Sequence, residues 1–385
     1  MGFLDEVQAL GFSISSVPVE GAEPYIVIGG RSNARWWLIP LSNRHVAASG
    51  LALFQPIIAS AKMLKTVATT LSALGLAPLW AKNRVYVKCP PVFADLFNCA
   101  QPSYAFFTGT DSPHRKTAIQ VMTPEGEIKG FAKVSCVEEV KQLIVRETDC
   151  IEYIRSLQLK SARVPKVLLS AEQSGARLLV TDTEKIRHSR SPTMFTPQHQ
   201  AFLSELAAKS CRGGASSCSQ FLQGLRQQTV QFTARLSTEW NRRLEAAFNR
   251  IADCSSEIRA KTTFCHGDFT PWNTFMVGAK LYVFDWEYAR HCSPPGYDLI
   301  HFTLSLPEVA RRSVAEIIGR VRQVLQEYGH AADSGLADIF LLCYLCGHSL
   351  HYIAREPLRS TKLITWDSEP ERGVLIDALL ASGKL

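Results

Sequence analysis

Two short polar clusters stand between apolar runs in residues 264–289, FCHGDFTPWNTFMVGAKLYVFDWEYA. His266, Gly267, Asp268 and Asn273 make the first, Asp285 and Glu287 the second. Asp268 follows a glycine in a loop after the strand-like TTFC. A carboxylate there can accept a proton from an attacking hydroxyl, or hold that hydroxyl in place. The Asn273 amide and the Asp285 carboxylate supply hard oxygen donors, the type that suits Mg²⁺ with its waters and phosphates. Asp285 ends the strand-like KLYVF, so a β-hairpin would carry it back against Asn273. The plainer alternative is a pair of turns with Asp and Asn as local caps. That alternative leaves acids following two apolar strands unexplained.

Phosphoryl transfer needs a cation delivered to the phosphates by a rigid element. Lys133 in GFAKV is flanked by apolar residues on a predicted strand. Glu147 lies on the following helical run, close to the stripe of Val140, Leu143, Ile144, Ile151 and Ile154, and is its candidate partner. Taken singly, Lys133 reads equally as an edge-strand charge and Glu147 as an exposed helix residue. A buried pair is favoured by the position of Glu147 beside the stripe.

The elements that must hold these residues follow from periodicity. Residues 24–40, PYIVIGGRSNARWWLIP, read as two strands around a Gly29–Gly30 turn. Helical periodicity runs from about 50 to 75, and RVYVKCPPVFADLF closes this section. SYAFFTGT, KTAIQVMTP and IKGFAKVS read as strands, with PEGE (124–127) turning between the last two. VEEVKQLIVRETDCIEYIRSL is the helix, and strands KVLLSAEQ and ARLLVTDT follow it. From 184 the chain is mostly helical, with a helix start at Thr196-Pro197, a loop at 213–217 and one long helix over 219–251. The expected domains are an N-terminal α/β extension (1–100), a small antiparallel β lobe with one helix (101–183) and a helical lobe (184–385). The last holds the loop 264–273 and the metal-binding segment 281–287.

The 385 residues suit two or three domains. A hydrophobic content of 46% and a charged content of 20% are those of an ordinary globular chain. The net charge of +7 is spread along the chain; it suits anionic ligands and argues against nucleic acid as a partner. Eleven cysteines without repeating spacing, and acidic residues in MGFLDEVQAL where a signal peptide has basic ones, lead to an expected cytoplasmic location. Cys343-x-x-Cys346-x-His348 sits in a run that reads as a buried helix, so these residues are expected to pack and not to bind metal. The apolar stretch 51–80 is broken by Pro56, Lys62 and Lys65. It lacks the ~18 apolar residues of a membrane span, and no transmembrane segment is expected. Oligomeric state is left open.

HGDFTPWN and FDWE, in order and at suitable spacing, with FAKV and a helical glutamate upstream, resemble the aminoglycoside phosphotransferase and choline kinase group of the protein-kinase-like superfamily. The resemblance covers about residues 101–350 and implies an α+β, bilobal kinase-like fold. It implies ATP and Mg²⁺ as cofactors, with a small-molecule hydroxyl as acceptor, a sugar or sugar-like compound first and an aminoglycoside- or choline-type compound as the alternative. Asp268 would be the catalytic base or hydroxyl-orienting residue, and Asn273 and Asp285 the Mg²⁺ ligands. Lys133, paired to Glu147, would hold the α- and β-phosphates. Val180 to Glu184, including Asp182, would be the hinge that meets adenine. His266 would support the loop, Glu287 would be a secondary or second-metal group, and Asp298 would be structural. The phosphate-covering turn departs from the protein-kinase pattern: TGTDSPHRKTA has one glycine, Gly109, with Arg115 and Lys116 as possible helpers. The first hundred residues have no counterpart in that fold. The competing function is a catalytically silent kinase-like module, disfavoured because none of the key residues is lost. Protein phosphorylation is disfavoured because no APE-like segment follows Asp285.

Overall fold

The computed structural model describes residues 2–382 except 31–34, 55–58, 78–82, 110–111, 211–217, 256–261, 357–361 and 367. The chain divides into two compact units. Unit 1 takes Met1–Ser156, Val164–Arg190 and Tyr282–Glu287; unit 2 takes Leu157–Arg163, Ser191–Leu281 and Tyr288–Leu385.

Unit 1 is built on one antiparallel sheet. Its strands are β1 (Ser13–Ser15), β2 (Glu23–Gly30), β3 (Arg35–Pro40), β4 (Arg84–Lys88), β5 (Ser103–Phe107), β6 (Thr117–Met122) and β7 (Ile128–Ser135). After β8 (Ala162–Arg163), a two-residue strand of unit 2, come β9 (Val167–Gln173) and β10 (Ala176–Asp182). The order across the sheet is β1-β4-β2-β3-β5-β6-β7-β10-β9. The first hundred residues therefore extend the same sheet that carries Lys133. The junction is β3 against β5, where Trp37 opposes Phe107 and the two rings stack at 4.7 Å. Gly29 and Gly30 are the last residues of β2, opposite Trp36 and Arg35, so strand pairing runs through both glycines. The turn expected on them is therefore not at these two residues; 31–34, which follow, lie outside the described residues.

Alternation along the strands gives the sheet two apolar faces. Tyr25, Leu38, Tyr104, Phe106, Val134 and Val180 join one core with Val7 of helix α1 (Phe3–Ala9) and Phe12. Ile26, Ile39, Ala105, Met122 and Ile128 join another with Val46 of α2 (Arg44–Gly50) and Ala68 of α3 (Ala59–Ala73). Phe131, on β7, packs against this second core. Helix α4 (Glu138–Ser156) buries Val140, Ile144, Glu147, Ile151 and Ile154, one stripe at 3.6-residue spacing.

Unit 2 is mainly helical. Pro197 opens α5 (Pro197–Ser210), as the Thr-Pro pair suggests. The single long helix expected over 219–251 is two helices, α6 (Cys218–Val230) and α7 (Thr238–Ser255), parted by a 3₁₀ turn at Thr233–Arg235. Ser237 makes the break: its hydroxyl accepts the Trp240 N–H at 3.2 Å and caps α7. Strands β11 (Thr263–Cys265) and β14 (Arg290–Ser293) pair, and β12 (Thr274–Val277) and β13 (Lys280–Val283) follow the loop after β11. Helices α8 (Tyr297–Ser305), α9 (Pro307–Ala310), α10 (Val314–Glu327), α11 (Ser334–Ile353) and α12 (Glu369–Ala381) complete the unit. Cys343 and Cys346 are core residues of α11. By length and composition α11 alone, among the described residues, could cross a membrane, but most of it is buried within the protein.

Candidate active site

In unit 1, β7 alternates Phe131 and Lys133 on one face with Gly130, Ala132 and Val134 on the other. Lys133 thus projects from the middle of a strand locked between β6 and β10. Its Nζ donates to Glu147 Oε2 at 2.7 Å and to Asp285 Oδ1 at 2.6 Å. Glu147 reaches it from the buried stripe of α4, and its Oε1 also accepts the Trp286 N–H at 3.3 Å. Burial alone would favour the neutral amine, but Asp285 and Glu147 outweigh it and hold the Lys133 ammonium above its ordinary range. Asp285 has φ +70°, the left-handed region that Asp tolerates better than most residues. Such backbone strain is found where surrounding contacts fix a functional side chain.

Carboxylate oxygens of Glu147, Asp285 and Glu287 lie within 4.8 Å of one another. Glu287 is 7% exposed and forms an ion pair with Lys116, at the end of the turn expected to cover phosphates. In that turn the Arg115 Nε donates to Thr108 O at 2.7 Å. These are oxygen donors of the kind that hold Mg²⁺, and all three already pair with a lysine, Glu147 and Asp285 with Lys133 and Glu287 with Lys116.

Beyond β10 the chain leaves the sheet. Val180 is buried, with β7 and β9 on either side. Asp182 spends its N–H on Lys166 O at 3.0 Å and its Oδ1 on Lys166 N at 2.5 Å. Lys185, three residues on, is 8% exposed, and its Nζ lies 5.6 Å from the Phe131 ring and 5.9 Å from the Phe284 ring. Burial, and then the charge of Lys65 from α3, lower its amine to about 7.

In unit 2 the loop after β11 is anchored from α8. The Asp298 carboxylate accepts the His266 N–H at 2.7 Å and the Gly267 N–H at 3.0 Å. Burial raises its carboxyl above the usual range, opposed by His266 and these N–H donors. Gly267 has φ +82°, and a Cβ there would meet Tyr288 O at 2.1 Å, so only glycine fits. His266 is fully buried and its Nδ1 accepts the Asp268 N–H at 3.3 Å. Asp268 is thereby turned outward with both oxygens held. Oδ2 accepts Asn273 Nδ2 at 2.9 Å, and Oδ1 meets His301 Nε2 at 3.0 Å. With Nε2 donating to Asp268, His301 Nδ1 accepts from the Tyr344 hydroxyl at 3.0 Å. Asn273 uses its N–H groups on Asp268, which leaves its amide oxygen as the atom suited to a cation.

Within unit 1, therefore, Lys133, Glu147 and Asp285 meet in one cluster, with Glu287 beside them. Within unit 2, His266, Asp268 and Asn273 meet in another. His301 and Tyr344 were not singled out from the sequence. The available signal was the three-residue step from Asp298 to His301, which puts both on one face of α8.

A β-rich unit with one helix crossing behind a strand lysine, and a helical unit holding an anchored HGD loop, make a protein-kinase-like fold. The model of the phosphotransferase enzyme family (APH) matches residues 137–335, just over half of the chain, and the chain belongs to that family. Among solved structures, a thermostable mutant of aminoglycoside phosphotransferase APH(4)-Ia in ternary complex with ADP and hygromycin B aligns with TM-score 0.53 at 11% identity, over 76% of this chain and 97% of that one. The same enzyme in another crystal gives TM-score 0.52 at 12% identity, again over 76% and 97% of the two chains. The streptomycin–ATP ternary complex of APH(2")-IIa gives 0.44 at 14% identity, over 75% and 94%. No curated protein sequence matches the chain.

Proposed function

We propose that the chain is a small-molecule kinase that moves the γ-phosphoryl group of ATP to a hydroxyl of a small acceptor, a sugar or sugar-like compound first. The carrying observation is Lys133, a strand ammonium bonded at once to Glu147 and Asp285. Such a lysine, held charged and in one rotamer, is what phosphates require. Family membership supports the phosphotransferase class.

In this reading Lys133 holds the α- and β-phosphates, and Glu147 keeps it pointed at them. Asn273 and Asp285, with Glu287 in support, would hold Mg²⁺, which when bound neutralises the charge of the phosphates. Asp268 orients the acceptor hydroxyl and takes its proton as the new O–P bond forms and the bond from the γ-phosphorus to the bridging oxygen breaks. Hydrogen bonds from Asn273 and His301 fix the carboxylate for that task. The tested quantity is nucleotide consumption with Mg²⁺ across free sugars, sugar phosphates, amino sugars, aminoglycosides and choline. Asp268→Ala should lower turnover by about 10²–10⁴-fold while nucleotide still binds, as for loss of a general base. Asp285→Ala should weaken Mg²⁺–nucleotide binding instead. Full activity in either variant removes that residue from its role.

A further inference from the structure

We propose that the acceptor carries an anionic group, a carboxylate or a phosphate, received in unit 2 by Arg355 and the buried His348. This rests on the kinase reading above and narrows its acceptor.

Arg355 follows α11 and has an unusual environment for an arginine. Its guanidinium lies 4.9 Å from the Tyr288 ring and 4.5 Å from the Tyr352 ring, which fix its plane. Its Nη2 meets His351 Nε2 at 2.8 Å. Its Nε is buried and has no hydrogen-bond partner among the described residues. No carboxylate there forms an ion pair with it; Glu356, the next residue, turns to Arg235. An arginine whose plane is set by aromatic faces, and which has no carboxylate partner among the described residues, is prepared for a planar or tetrahedral oxyanion.

His348 supplies the second observation. It is 5% exposed, and its Nδ1 has no partner among the described residues. Its ring stacks on Tyr344 at 5.2 Å and lies 4.9 Å from the His301 ring and 5.0 Å from the Tyr352 ring. Since His301 holds Asp268 and Tyr352 lies against Arg355, contacts run without a gap from the candidate base to that arginine. Apart from Asp268 at its start and the buried Asp298, the charged groups along this path are cations. Arg372 lies 5.4 Å from the Tyr344 ring, and burial first, then Arg372, His301, His351 and Arg290, disfavours a proton on His348. Among the described residues neither Arg290 nor Arg372 has a carboxylate partner. Asp298, the buried acid nearby, is committed to the His266 and Gly267 N–H groups. A polycationic amino sugar would set its ammonium groups against this face, whereas a hydroxylated anion would satisfy it.

The test uses the full chain with Mg²⁺ and either ATP or GTP. One arm offers sugar acids (glucuronate, galacturonate, gluconate), a second sugar phosphates (glucose 1-phosphate, glucose 6-phosphate), a third glucose, and a fourth kanamycin and hygromycin B. Binding of radiolabelled glucuronate and orthophosphate is measured in parallel by equilibrium dialysis. Transfer to one anionic arm is expected, and the arm that turns over distinguishes carboxylate from phosphate. Arg355→Met should raise KM for that acceptor tenfold or more with a smaller change in kcat, and Arg355→Lys should recover only part, since the charge returns without the fork. Unfolding midpoints of both variants are compared with wild type. Transfer to glucose or an aminoglycoside but to no anion overturns the proposal. So does an unchanged KM in Arg355→Met, or failure of both anions to bind or react. If Mg²⁺–nucleotide itself does not bind, the kinase reading fails first; if it binds and a neutral acceptor reacts, only this inference fails.

Discussion

Replacing Lys185 with methionine should stabilise the protein at neutral pH, and most of the gain should disappear in alkali. Lys185 is nearly buried, has Phe131 and Phe284 beneath its amine, and forms no ion pair among the described residues. Burial, helped by Lys65, lowers its pKa from 10.5 to about 7. At 1.36 kcal/mol per unit, this difference amounts to about 4.8 kcal/mol when the amine is charged in both states. The two cation–π contacts return roughly 0.5–1 kcal/mol each, and local relaxation returns more, so a gain of about 1–3 kcal/mol is expected at pH 7. The sign follows from proton uptake. Between 7 and 10.5 the unfolded lysine binds a proton that the folded one does not, so wild-type stability falls as pH falls through that window and levels below it. Methionine removes this slope. Urea unfolding of both proteins at pH 7 and pH 9.5 should show a gain at pH 9.5 about a third of that at pH 7, in proportion to the titration remaining. Equal gains at both pH values would reduce the effect to packing. A loss of stability at pH 7 would mean that the ammonium is satisfied after all, and the argument would be wrong.

Acid should act through His199, which is fully buried and whose pKa burial lowers from 6.5 to about 4. The unfolded imidazole protonates first, so about 3 kcal/mol should be lost as pH falls from 6.5 to 4, and a His199→Gln variant should show a flatter urea midpoint over that range. Asp298→Ala would leave the His266 and Gly267 N–H groups without their acceptor. About 2–5 kcal/mol of stability should go, measured by urea unfolding, and kcat should fall more than KM rises because Asp268 loses its mount. Removing residues 1–100 should give an insoluble product in a sedimentation assay. It strips β3 from β5 and takes Glu6 from Thr117 and Ser135, which donate to it at 2.5 and 2.8 Å.

Where local pattern decides, the sequence was legible. IKGFAKVS alternates and is β7 to the residue, and the helix bearing Glu147 keeps a 3.6-residue stripe. HGDFTPWN carries its own turn chemistry, Gly267 and the Pro271–Asn273 3₁₀ turn included. What was not legible depends on partners distant in sequence. The helical period runs on from 219 to 251, yet α6 stops at Val230 and α7 starts anew under the Ser237 cap. The pairing of Asp268 with His301, and of His301 with Tyr344, joins a loop to two helices; the step from Asp298 to His301 shows a shared helix face but neither partner. Arg355 owes its setting to Tyr288, 67 positions earlier, and nothing in either neighbourhood announces the contact.

The N-terminal region is the clearest case of function hidden in pairing. No motif links residues 1–100 to the kinase-like segments, yet β3 meets β5 and makes their strands one sheet. Glu6 then grips Ser135, two residues beyond Lys133 on β7, and Lys65 of α3 contributes to the field on Lys185. Burial raises the Glu6 carboxyl, while Thr117 and Ser135 oppose that shift. A carboxyl kept at such a desolvation cost, with both hydroxyl donors supplied by β6 and β7, fixes where the end of β7 lies relative to α1. Since Lys133 is one strand repeat from that anchor, its position inherits the rigidity of the whole sheet and not of five strands alone. The first hundred residues thus belong to the placement of Lys133, whatever else they contact.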